Sequence, residues 1–424
     1  MKNTLTKLWR RQALETGSLL SVLVLTVGIS ASSFAQTSIF SVQSSPSPNV
    51  QGNTLNAVTA ITDSDAWAAG YMNDNNLNDS RTLTMHWDGL AWSVVPSPNP
   101  GSVPSCTNSN TGNVINGIAA IASNDVWAVG FSFTCFGPLK PMALHWDGAN
   151  WSAVKTPNLI QVDNAAFNGV LAFASNDVYA VGYHPASNGA VRTLVEHWDG
   201  TAWKVVPTPN GVNNTGNVLT SISATSPTDI WAVGDRVSPN LPVKTLVLHF
   251  DGAKWSVVPS PNPVNTGVLS ANVLTGVRAV SPTDVTAVGW VRDGNAQRVV
   301  TLIERWDGTR WKVIPSPNQG QNAGDLNVLT GVTQVSPTNL YASGYFENPT
   351  TNGQHHTMVQ HFDGSSWKIV PTPAPNLAQQ LNSTFALPGT TDVWVVGASS
   401  IPGIDFETGF LQLPKTLVLF SPIG

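Results

Sequence analysis

Short apolar runs punctuated by turn residues fill the chain, and none keeps a helical period. Four kinds of run recur in a fixed order. Strand A reads Asn-x-Leu-x-x-Val-x-Ala, as in residues 272–280, and a tight Ser-Pro-Thr-Asp turn leads to strand B, Val-Trp-Ala-Val-Gly. Strand C is Thr-Leu-Val-x-His-Trp, and Asp-Gly joins it to strand D, Trp-x-Val-Val-Pro. Asp-Gly between apolar runs is a strong hairpin signal, because glycine takes positive φ with little strain. The Pro-x-Pro-Asn ending lacks two amide donors and so stops strand D.

The strand-B phrase runs from DAWAAG at 65–70 through DVWAVG, DVYAVG, DIWAVG, DVTAVG and NLYASG to DVWVVG at 392–397. Its aromatic slot falls at 67, 127, 179, 231, 286, 341 and 394, in steps of 52 to 60 residues. The strand C–D phrase, HWDGLAWSVVPSPN at 86–99, returns from 145, 197, 249, 305 and 361. A period in this range signals a propeller or solenoid. Seven B strands face only six complete C–D phrases, and the last repeat stops after strand C, residues 415–420. Residues 39–42 with Pro46-Ser47-Pro48-Asn49 offer the missing strand D, although Phe40 stands two residues too early for the aromatic register. The pattern therefore predicts an all-β, seven-bladed β-propeller of four-stranded blades. Its last blade, 36–49 plus 376–424, is closed by the N-terminal strand. Blade-to-blade cores also suit a chain longer than one core usually serves, roughly 250–300 residues.

The first 35 residues read as an export signal. Lys2, Lys7, Arg10 and Arg11 precede an apolar stretch from Gly17 to Ala31, and Ser33-Phe34-Ala35 offers a cleavage point before Gln36. Removal leaves 16 basic and 24 acidic residues, a net of −8. The expected product is secreted or extracytoplasmic, monomeric, without an integral membrane segment, and unsuited to nucleic acid, whose phosphates need a basic surface. The 16 Trp and 11% charged side chains argue against disorder. Two cysteines exclude a disulfide-dense scaffold; in an exported chain Cys106 and Cys135, on one loop face of one blade, are the expected disulfide.

The Asp-Val-Trp-Ala-Val-Gly and His-Trp-Asp-Gly-x-x-Trp phrases resemble those of secreted bacterial propeller-repeat proteins. The order of Gly, aromatic and Trp is also similar to kelch and galactose-oxidase propellers, but their double glycine is missing. Asp-Gly-x-x-Trp resembles the Asp-box of sialidase-type propellers, with the Asp–Trp spacing one residue short. The resemblance covers residues 38–420 and implies the architecture; it carries over no catalytic residue.

A residue present in every blade serves the blade, whereas a single site must break the symmetry. The turn aspartates Asp88, Asp147, Asp199, Asp251, Asp307 and Asp363 are expected to accept backbone hydrogen bonds. His86, His145, His197, His249 and His361 lie in different blades, and Arg305 takes their slot in the fifth, so a partly buried donor is expected there and no metal. Glu196 and Glu304 share one strand-C position in blades three and five and so cannot form a glycosidase pair. Asp74 to Asp79 begins like a calcium loop but lacks its glycine and closing Glu, and reads as a solvated loop. No nucleophile elbow, zinc-protease, Walker or dinucleotide motif occurs, and no cofactor is implied.

The B–C and D–A connections are long and open on one face, where binding residues gather on a rigid scaffold. The residue after the strand-B glycine is aromatic in five of seven repeats, including Tyr71, Tyr183, Trp290 and Tyr345. Trp290 and Tyr345, on adjacent blades, are expected to flank one groove beside Arg292, Glu347 and His356. The function expected is a non-catalytic extracellular module that binds a glycan or a cell-surface component, its partner being a glycan or an extracellular protein. Two alternatives stand beside it. One is a polysaccharide hydrolase or lyase using the loop charges of blades five to seven (Arg292, Asp293, Arg298, Glu347, His355, His356, Asp405 and Glu407). The other is a structural envelope or matrix protein.

Overall fold

The computed structural model describes residues 38–421 except 50–51, 74–78, 103–110, 136, 158, 160–163, 211–215, 265–266, 268, 296, 321, 349–353, 374–377 and 404–410. The export signal, the calcium-like loop, Cys106, Asp405 and Glu407 thus lie outside the described residues, Asp79 excepted. Those described form strands and turns, with no helix.

The described residues form seven four-stranded antiparallel units, the first six each an A-B-C-D meander. In the first, A is Asn53–Thr62, B Asp65–Asn73, C Ser80–Trp87 and D Trp92–Val95. Units five and six join through one parallel bridge, Val299 with Leu326. In unit seven, A is Ala378–Ala386, B Val393–Gly403 and C Leu411–Ser421. Its fourth strand is N-terminal: Ser41–Gln43 pairs antiparallel with strand C, Ser41 opposite Phe420.

That register corrects the expectation for Phe40. With Ser41 opposite Phe420, Phe40 falls opposite Ser421, as Trp92 falls opposite Trp87 in unit one. Phe40 is buried and meets Tyr341 edge-on at 6.1 Å, in the manner of Trp151 against Trp67. The Pro-x-Pro-Asn motif is what shifts by two residues. Thr82 N–H donates to Asn99 Oδ1, whereas Thr416 N–H donates to Ser47 Oγ at 3.1 Å. Burial of an aromatic ring outweighs alignment of a turn motif.

Strand B is apolar on both faces because both are covered, and its period of two sends alternate residues to opposite neighbours. Trp67 and Ala69 join a cluster with unit two, Ala66 and Ala68 one with unit seven. Among the described residues seven such clusters occur, one for each pair of neighbouring units, the last uniting Trp394, Val396 and Val418 with Leu55, Val58 and Trp92.

Each A strand carries a bulge whose extra residue reaches the next unit. Asn56, Asn116 and Asn168 donate to Ile115 O, Phe167 O and Leu219 O at 2.7–2.8 Å. Thr220, Thr275 and Thr330 donate to Leu274 O, Leu329 O and Leu381 O at 2.6–2.8 Å, and Asn382 donates to Leu55 O at 2.8 Å. Together the seven A strands line a central cavity of about 320 Å³.

Candidate functional site

The repeated polar residues serve the units. Asp88 Oδ1 accepts the amides of Leu90 and Ala91 at 2.9 and 2.8 Å, and the same pair of bonds recurs at Asp147, Asp199, Asp251, Asp307 and Asp363. These bonds stabilise the charged form and hold the Asp88, Asp147 and Asp251 carboxyls below their usual range. The strand-C histidines pair with the carboxylate that opens strand B: His86 with Asp65, His145 with Asp125, His197 with Asp177 and His249 with Asp229, at 2.6–2.9 Å. His361 meets Asn339 instead, at 2.8 Å. Each ring also packs on the strand-B aromatic, 4.2–4.6 Å between centroids. In unit five both partners change together. Thr286 replaces the aromatic, and Arg305 grips Asp284 through two bonds of 2.7 and 2.8 Å.

The symmetry breaks on the loop face between units five and six. Trp290 and Arg292, near the end of one strand B, and Tyr345, near the end of the next, line a cavity of about 390 Å³. Gln297, Val299 and the segment Gly324–Leu326 complete it. Trp290 and Tyr345 are half-buried, so each presents part of its ring, while Arg292 is exposed. Asp325 is buried; its Oδ2 accepts the Asn322 amide at 2.6 Å, and its Oδ1 is buried without a partner. The cavity thus joins two aromatic walls, one cation and one carboxylate.

Three of the residues expected in a groove come together here: Trp290, Tyr345 and Arg292. Glu347 and His356 do not line this cavity. Glu347 stands 3.6 Å from His355, whose ring stacks on Tyr345 at 4.3 Å, and His356 packs on Phe346 at 5.5 Å. Burial raises the Tyr345 hydroxyl pKa, with the Glu347 charge adding to it. Tyr71 and Tyr183, in units one and three, are half-buried and belong to other sheets. The matching cavity between units three and four, of about 580 Å³, is walled by Val191, Val218 and Val237 and has no ring. Cys135 is disulfide-bonded, and its expected partner Cys106 lies outside the described residues.

Asp325 and Gln297 escaped the sequence reading because they stand in connections of unequal length, where repeat alignment gives no register. Arg278 escaped it too, and it lines the central cavity. Its signal was available: three residues after the bulge, the other repeats carry Thr59, Ala119, Leu171, Ser223, Thr333 and Phe385.

No known family and no curated protein matches the sequence. Solved structures do resemble the fold. One is YCF48 bound to D1 peptide, at 11% identity over 92% of this chain and 98% of that chain, TM-score 0.51. Another is the polysaccharide lyase PL25 ulvan lyase bound to -[GlcA(1-4)Rha3S]-, at 10% identity over 88% and 95%, TM-score 0.50. A third is the fungal Aleuria aurantia lectin, described as a six-bladed β-propeller, at 12% identity over 70% and 93%, TM-score 0.40. The likeness is one of fold alone. Function has to be argued from the site.

Proposed function

We propose that this chain is a seven-bladed β-propeller, closed by its N-terminal strand and exported after loss of the signal segment. It acts as a non-catalytic module that binds a glycan on the loop face. The observation carrying this reading is the pairing of Trp290 and Tyr345 around one cavity with Arg292 and Asp325. A sugar ring has an apolar C–H face that suits an aromatic wall and a rim of hydroxyls that needs donors and acceptors. Arg292 supplies donors, and Asp325 contributes a carboxylate to the lining.

Glycan-array screening of residues 36–424, followed by titration of the best ligand, tests this. Trp290→Ala and Tyr345→Ala should each weaken binding by ~1–3 kcal/mol, the range for truncated interface aromatics. Asp199→Ala, in a C–D turn away from the cavity, should leave affinity unchanged. Unchanged affinity in both aromatic variants removes the site. A second reading, a polysaccharide hydrolase or lyase, draws on the Glu347–His355 pair beside Tyr345. Turnover of a polysaccharide that is abolished in Glu347→Gln would replace the binding reading with this one. Absence of any ligand would favour a structural envelope or matrix role.

A further inference from the structure

Arg278 is the sole ionisable side chain among the residues lining the central cavity. It forms no hydrogen bond or ion pair with any described residue, and its Nε is buried without a partner. Taking a guanidinium partly out of water with no counter-charge opposes folding. Burial accordingly lowers its pKa, yet the group remains cationic at neutral pH. Nothing in the architecture requires it, since the same slot holds Thr59, Ala119, Leu171, Ser223, Thr333 or Phe385 in the other six units.

The two flanking A strands add suitable neighbours. Ser223 Oγ accepts the Ala279 amide at 3.0 Å, and Thr333 Oγ1 accepts the Ala386 amide at 2.7 Å. Each hydroxyl is used as an acceptor, so its own proton remains free to donate. One cation and two hydroxyls with unspent protons line the same cavity, which no carboxylate lines, and such a set of donors suits an oxyanion.

We propose that Arg278, with Ser223 and Thr333, forms an oxyanion-binding site in the central cavity, separate from the loop-face cavity. The anion is the carboxylate of a small organic acid or an inorganic sulfate or phosphate ion. Calorimetric titration of residues 36–424 with sodium acetate, sulfate and phosphate, at ionic strength fixed with chloride, tests the proposal. One site per chain is expected. Preference for acetate identifies a carboxylate ligand, and preference for sulfate or phosphate an inorganic one.

Arg278→Thr places in the slot the residue that units one and six already carry. It should weaken oxyanion binding by roughly tenfold or more. Its melting temperature in chloride alone should equal or exceed that of the unaltered protein, because an unpaired, partly buried charge is gone. Absence of oxyanion binding by the unaltered protein overturns the proposal, as does equal affinity in Arg278→Thr. A fall in the variant's melting temperature in chloride would make Arg278 a structural residue and overturn it as well.

Discussion

A single residue can carry a pH dependence through the whole molecule, and Glu196 and Glu304 do so here. Both are fully buried, and neither carboxyl group has a hydrogen-bond partner. Desolvation pushes each pKa from 4.5 up to about 8. Their slot holds Gln360 in unit six, whose Nε2 donates to Pro317 O of the preceding unit at 2.9 Å. A carboxylic acid can make that donation only while protonated. Between about pH 4.5 and 8 the unfolded chain has released these protons and the folded chain keeps them. Their contribution to stability is therefore complete below pH 4.5 and is lost progressively as pH rises to about 8. Asp235, raised to about 6 by burial, acts in the same direction over a lower window. Thermal unfolding from pH 6 to 8 reads this effect: melting temperature should fall, and Glu196→Gln with Glu304→Gln, which removes only these two groups, should flatten the fall and raise stability at pH 8. An equally steep profile in the double variant would refute the assignment.

At the scale of one unit, the repeated phrases are read in the backbone as much as in the side chains. The glycine within strand B faces the bulge of strand A: a Cβ at Gly289 would lie 2.0 Å from Val273 O, and Gly70 stands in the same relation to Thr54 O. Gly289→Ala should therefore destabilise the protein by roughly 3 kcal/mol or more, as overpacking against immovable backbone does. Gly189→Ala, at φ +79° with open space around the position, should lose only about 1 kcal/mol. Chemical denaturation of the two variants checks the contrast; equal losses would show that the bulge yields. Strand order, the Asp-Gly turns and the His slot were legible in the sequence because each recurs with its spacing intact. The bulge donors Asn56 to Asn382 recur just as regularly as Asn or Thr, yet their partners lie in the next unit, which local spacing does not reveal. The loop-face site was legible only in part. Trp290, Tyr345 and Arg292 sit at fixed distances from the repeated strand-B phrase, whereas Asp325 belongs to a D–A connection whose length and sequence differ between repeats.

At the scale of the molecule, the last unit draws its outer strand from the opposite end of the chain, so one short segment serves two contacts. Ser41–Gln43 completes the sheet of unit seven, and Phe40 enters the cluster shared by units six and seven, with Ser38 Oγ donating to Pro371 O at 2.9 Å. Thr416 binds Ser47 and Pro46 O beyond the strand. Deleting residues 38–49 removes all of these together. Strand C of unit seven becomes an exposed edge, a template for pairing with another chain, and Tyr341 loses its edge-on ring. Melting temperature should fall, and light scattering should show concentration-dependent association. Phe40→Ala separates the two effects: it should lower the melting temperature by truncating a buried ring while leaving the edge covered and the association state that of the unaltered protein. A deletion variant that stays monomeric with an unchanged melting temperature would mean that the N-terminal strand neither caps the edge nor fastens units six and seven.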